Sequence, residues 1–165
     1  VDKGQTKIMV IGIPDVPGKA ADLFTIVADA GANIDMIVQN TPTGSDVVDA
    51  VSDIGFTLPK SETKKVVSAL QANQEKLGFR VVEVDEEIGK LSVVGAGMRT
   101  HSGVSATLFS ALAKAGINIE MISTSEIRIS VITSDDQVEA AARAVHTAFG
   151  LDSEIEAVVY AGTGR

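Results

Sequence analysis

The chain has 165 residues, 45% of them apolar, and its 22 acids outnumber 14 bases to give a formal net charge of −8. That length suits one domain of about 150 residues or two of about 80, and the apolar share argues against wholesale disorder. The acidity, with aromatics at 4% and no Trp, excludes a general nucleic-acid binder, which needs a basic patch and stacking rings.

With no cysteine, disulfides, zinc ribbons and thiol nucleophiles are excluded. His101 and His146 are too few for a multi-histidine metal site, and no cofactor or metal is expected. No apolar run approaches the ~20 residues that span a bilayer, and the opening VDKGQTK lacks the core of a signal peptide. A soluble, cytoplasmic chain with no membrane partner is the expectation.

The sequence is one unit written twice. Residues 27–37 read VADAGANIDMI and residues 112–122 read LAKAGINIEMI, identical at seven of eleven positions with an offset of 85 (118 − 33 for the paired asparagines). Leu23-Phe24 pairs with Leu108-Phe109 and Gly18 with Gly103 at the same offset, whereas Gly12 pairs with Gly95 at 83. A tandem repeat of about 80 residues follows, with domains expected at 1–85 and 86–165.

In chain order, Lys7 to Ile13 reads as a strand. A helix starts near Gly18, carries Ala20, Leu23, Phe24 and Val27 at helical spacing, and stops at Gly31. Strands are expected over Asn33–Gln39 and Ala50–Leu58, then a single helix from Ser61 to a stop at Gly78, and a strand over Phe79–Val84. The second copy repeats the order. Strands fall at Lys90–Gly95, Asn118–Thr124, Ile127–Ile132 and Ala157–Tyr160, and helices at Val104–Ala115 and across Val138–Phe149. Ser134 and Gln137 have the spacing of a capping box ahead of the last helix. Each copy is βαββαβ, so the predicted class is α+β: two tandem ferredoxin-like domains, each an antiparallel sheet with helices on one face. The other sheet face needs a cover, from the sister repeat or a second chain, so an oligomer is expected.

Catalytic constellations are not found. A nucleophile needs a base oriented by a carboxylate, and Ser102 and Ser105, which neighbour His101, lie in a loop running into a helix start, while Gly95-Ala96-Gly97 lacks the third glycine of a dinucleotide fingerprint. Asp85-Glu86-Glu87 and Asp135-Asp136 read as a solvated linker and a helix start. The informative positions are those the copies share without a packing reason. A glycine at a helix start, Gly18 or Gly103, leaves backbone N–H groups open to a carboxylate. The start of the second strand, Asn33-Ile34-Asp35 or Asn118-Ile119-Glu120, is expected close by, its acid suited to an ammonium group. Together they match an amino-acid zwitterion. Plain turn chemistry explains the glycine and asparagine equally well, and both readings stand open on the residues alone.

At these residues the chain resembles a family. DVPGKAADLF followed by NIDMIVQN resembles the first ACT domain of aspartate kinases. GKLSVVGAGMRTHSGVSATLFSALAKAGINIEMISTSEIRISV resembles the second, its run from Asn118 to Ser130 being the most specific part, and the closing AVVYAGTGR resembles the C-terminus of actinobacterial members. The resemblance covers essentially the whole chain and includes no catalytic kinase domain. It implies a non-catalytic regulatory (β) subunit, dimeric through its ACT domains and paired with a catalytic α subunit as α2β2. It also implies feedback control of the first step of lysine, threonine and methionine biosynthesis, with threonine, and lysine as a second effector, bound where ACT domains of two chains meet. Carried over by motif, one site uses Asp15, Gly18, Ala20 and Gln39, completed by Asn118 and Ile119. The quasi-symmetric site uses Gly103 and Ser105 with Asn33 and Ile34. Asp35, Ser125 and Glu126 are the candidates for a lysine side chain. The chain departs from the family pattern in its long loop from Thr41 to Ser52, in Gly55 where threonine is common, and in His101-Ser102-Gly103. Two other readings compete: a structural assembly module with an empty site, and a small acyl-phosphate hydrolase, whose phosphate loop needs an arginine that only the second copy offers, as Arg99.

Overall fold

Apolar residues at period two alternate with stretches at helical spacing, and each such unit folds around its own core. The computed structural model describes residues 1–41, 50–95, 103–125, 127–150 and 158–160. Contacts divide the chain into two units, Gln5–Glu86 and a second made of Val1–Gly4 with Glu87–Arg165.

The first unit runs β1 (Gln5–Pro14), α1 (Lys19–Asp29), β2 (Ile37–Asn40), β3 (Val51–Pro59), a 3-10 turn (Lys60–Glu62), α2 (Thr63–Ala72), α3 (Gln74–Leu77) and β4 (Val81–Asp85). Its sheet has the order β2-β3-β1-β4 with every pair antiparallel. The second unit runs β5 (Ile88–Val94), α4 (Gly103–Lys114), β6 (Met121–Thr124), β7 (Arg128–Ser134), α5 (Val138–Ala148) and β8 (Val158–Tyr160), in the matching order β6-β7-β5-β8. Both are ferredoxin-like, as the repeat predicts.

Alternation within the strands builds the cores. In the first unit Ile8, Val10 and Ile13 of β1 join Ile54, Phe56 and Leu58 of β3, under Leu23 and Val27 of α1 and Val66 and Leu70 of α2. Phe24 meets Phe56 edge to face, ring centroids 5.9 Å apart, a geometry that aligns ring edge with ring face. Leu91 and Val93 of β5, with Leu108, Leu112, Val131, Val138 and Val145, form the second core. Lys90 and Ser92, on alternate positions of the same strand, are buried too. Gly31 and Gly116, at equivalent places after α1 and α4, take φ of 79° and 73°, the left-handed conformation that ends a helix without a Cβ clash.

Several boundaries differ from the sequence reading, each for a local reason. The strand expected from Asn33 becomes regular only at Ile37, because the hydroxyl of Thr57 accepts the Met36 amide (3.0 Å) while the Thr57 carbonyl accepts that of Asp35 (2.9 Å). The helix expected from Ser61 to Gly78 breaks at Asn73, whose side chain donates to the Ala69 carbonyl at 2.8 Å, a side-chain competition for helix carbonyls. Ser134 and Gln137 do not form a capping box. Gln137 itself precedes α5, and the Ser134 hydroxyl turns to the side chains of Asp136 and Gln137. Val1–Gly4, counted with the first domain by the repeat, ladders instead onto β5 of the second unit through Asp2 and Lys90.

Candidate functional site

The segment after β1 turns sharply into α1. Asp15 is exposed, and its amide donates to the Ala50 carbonyl at 2.9 Å, tying the turn to the start of β3. Gly18 precedes α1 with φ 93° and no side chain caps the helix. The Lys19 amide reaches the Val16 carbonyl at 3.3 Å, whereas the amides of Ala20 and Ala21 meet no acceptor among the described residues. Lys19 itself turns away, its Nζ donating to the Lys76 carbonyl at 2.8 Å. Two open N–H groups at the positive end of an 11-residue helix make a dock for a carboxylate.

Gln39 lies at the same end of the unit. It pairs with Ile54 on the exposed edge strand β2, and its Nε2 reaches the buried hydroxyl of Ser52 at 3.4 Å. Ser52 in turn faces Ile13, next to Pro14 and Asp15. Asp15 and Gln39 thus both reach the start of β3, through Ala50 and through Ser52, a contact that sequence reasoning missed. No spacing signal marks Ser52, because only the β2–β3 register brings it beneath Gln39.

Asn33, Ile34 and Asp35 lie at the opposite end, which corrects the expectation that they sit beside the helix start. The Asn33 amide and Nδ2 donate to the two carboxylate oxygens of Glu62 at 2.8 and 3.0 Å, just past the end of β3. Ile34 packs against the core, and Asp35 is exposed. Nine residues of β3 separate this corner from Ala50, roughly 30 Å at ~3.3 Å per residue. The antiparallel path is the reason: β2 runs parallel to β1, so its start lies beside the start of β1 and not beside its end. One amino acid cannot touch Gly18 and Asn33 of the same unit.

The second unit repeats this division. Gly103 opens α4 with Ser105 in its first turn, and Ser125 stands at the β6–β7 turn, its amide donating to the Arg128 carbonyl at 2.7 Å. Asn118 and Ile119 lie at the other end, where the Glu120 amide donates to the Ile132 carbonyl at 2.8 Å. Glu126, Arg99, His101 and Ser102 lie outside the described residues. A shallow groove of about 770 Å³ between α4 and α5, lined by Ser110, Lys114, Arg143 and several alanines, contains none of the expected site residues. Among the described residues no three His, Asp or Glu side chains are placed to hold a metal ion, and no helix is long and apolar enough to cross a membrane.

ACT-domain family models match residues 7–74 and 91–149. The aspartokinase of Mycolicibacterium smegmatis is 51% identical over 164 residues, 99% of this chain and 38% of that protein. The crystal structure of aspartokinase alpha and beta subunits aligns with a TM-score of 0.82 at 42% identity, covering 90% of this chain and 95% of that one. The ligand-free regulatory subunit of aspartate kinase from Thermus thermophilus gives 0.82 at 40%, with the same coverage. Fold and repeat thus define a tandem ACT-domain protein. The chain belongs to the aspartokinase family and corresponds to its regulatory ACT region. It spans 38% of the length of the curated relatives it matches first.

Proposed function

We propose that this chain is the effector-sensing, non-catalytic part of an aspartokinase. It binds threonine, and lysine as a second effector, where ACT domains of two chains meet, for feedback inhibition of the first step of lysine, threonine and methionine biosynthesis. Its partners are a second copy of itself and catalytic α subunits, as α2β2. The observation that carries the reading is the helix start at Gly18, where the amides of Ala20 and Ala21 meet no acceptor among the described residues, with Gln39 at the same end of the unit. The two halves of an amino-acid site lie at opposite ends of each unit, so a complete site needs two units: Gly18 and Gln39 from one, Asn118 and Ile119 from another. An effector bound across such a joint favours the assembly state that forms it, and through it shifts the catalytic subunits by the ~1–3 kcal/mol typical of allosteric coupling.

Titration calorimetry with threonine, then lysine, each alone and then with the other present, tests the reading. Heat with threonine supports it. A flat trace with both, repeated after catalytic subunit is added, leaves the structural-module reading.

A further inference from the structure

We infer that the groove between α4 and α5 seats an acidic helix of a partner chain, held by Lys114 and Arg143. The partner is the catalytic subunit, so the inference rests on the regulatory reading above. The groove measures about 770 Å³ and is walled by short side chains, five of them alanines. Its α4 wall runs from Ala106 to Ala115, a span of ~14 Å at ~1.5 Å per residue. A small-molecule site encloses most of its ligand. A shallow trough between two helices, with little side chain in the way, instead lets a third helix lay its ridge of side chains into it.

Charge defines the kind of helix. The chain carries −8 overall, yet two cations and no acid line the groove. Lys114 and Arg143 are exposed, and neither makes a hydrogen bond or ion pair among the described residues. The fold itself does not call for them. α1 and α4 match at an offset of 85 (114 − 29), which puts Asp29 at the place of Lys114 and Asp22 at that of Thr107. α2 and α5 match at 75 (138 − 63), where buried Thr63, Val66 and Leu70 fall on buried Val138, Ala141 and Val145. Ser68 then takes the place of Arg143. One repeat folds with an acid and a serine where the other carries two cations, so packing within a unit does not set their sign. Carboxylates flanking a seated helix pair with Lys114 and Arg143, whereas Asp22 and Asp29 on the matching face of the first unit repel the same helix.

Calorimetric titration of the full chain with purified catalytic subunit tests this. Reversing both charges, Lys114→Glu with Arg143→Glu, should raise the dissociation constant about tenfold or more. Salt should weaken binding of the unmodified chain and change that of the variant little. Ser110→Trp, at an exposed position, fills the groove without altering charge and should weaken docking as well. Circular dichroism and an unchanged threonine heat establish that each variant is folded. A photo-crosslinker at Ser110 should capture a helical segment of the catalytic subunit that carries Asp or Glu. Unchanged affinity in the folded variants overturns the inference, and so does capture of a segment without acids. Heat with inorganic phosphate that the charge reversal abolishes, while catalytic-subunit binding persists, makes the groove a small-anion site and overturns it too. If the unmodified chain gives threonine heat but does not bind the catalytic subunit, this inference alone falls. If it does neither, the regulatory reading falls with it.

Discussion

Asp2 and Lys90 exchange two backbone hydrogen bonds, each 2.8 Å, although the whole of the other unit lies between them in the sequence. The bridge lies on β5 just before the Ser92–Val94 stretch that pairs with β8. The first four residues therefore stabilise the second unit. Deleting residues 1–4 should speed amide exchange at Lys90 and its neighbours on β5, while the core of β1 and β3 keeps its protection. Hydrogen exchange resolved by residue checks this, and equal loss in both units would refute the assignment.

Gly89 is required by contact. A Cβ built there lies 2.5 Å from Cβ of Val138 and 2.7 Å from its Cγ1, and Val138 is fully buried at the start of α5. Gly89→Ala should cost about 1–3 kcal/mol through overpacking, read as a lower urea midpoint. Adding Val138→Ala should return part of the loss, since the two residues share the clash.

Ser92 and Ser130 face each other across β5 and β7 with hydroxyls 2.8 Å apart, both buried. Ser92→Ala leaves the Ser130 hydroxyl buried without this partner, at a cost of ~1–3 kcal/mol. Replacing both by alanine should cost less than the sum of the single changes. A double-mutant cycle in urea measures the difference, and strict additivity would mean the pair is not coupled.

Gln39→Ala removes a side chain at the end of the unit where the α1 amides are open. Threonine affinity should fall by ~1–3 kcal/mol if the amide binds the effector in a desolvated site, with little change in stability because Gln39 is exposed. Calorimetry against the unmodified chain decides it. An unchanged dissociation constant removes Gln39 from the site.

Gly18→Ala tests the helix start. Open space surrounds Gly18, so added volume is harmless, but its φ of 93° is strained for any L side chain. The expected cost is ~1–2 kcal/mol, together with weaker threonine binding as the α1 amides shift. Loss of stability with unaltered binding would separate the glycine from the carboxylate dock.

The sequence alone determined the repeat, the class of fold and the helix stops, because these depend on neighbours a few residues apart. Leu23 and Val27 face one core at helical spacing, and Gly31 and Gly116 end their helices wherever the chain then goes. Gly18 and Gln39 were legible as candidates only through the family motif. Only tertiary structure decided the rest. Asn33 meets Glu62 across 29 residues, Gln39 meets Ser52 through the β2–β3 ladder, and Asp2 crosses to β5. Such contacts arise from strand direction and register, which no local pattern encodes. Direction also separated Gly18 from Asn33: an antiparallel sheet with a helical crossover returns the chain to the end where β1 began.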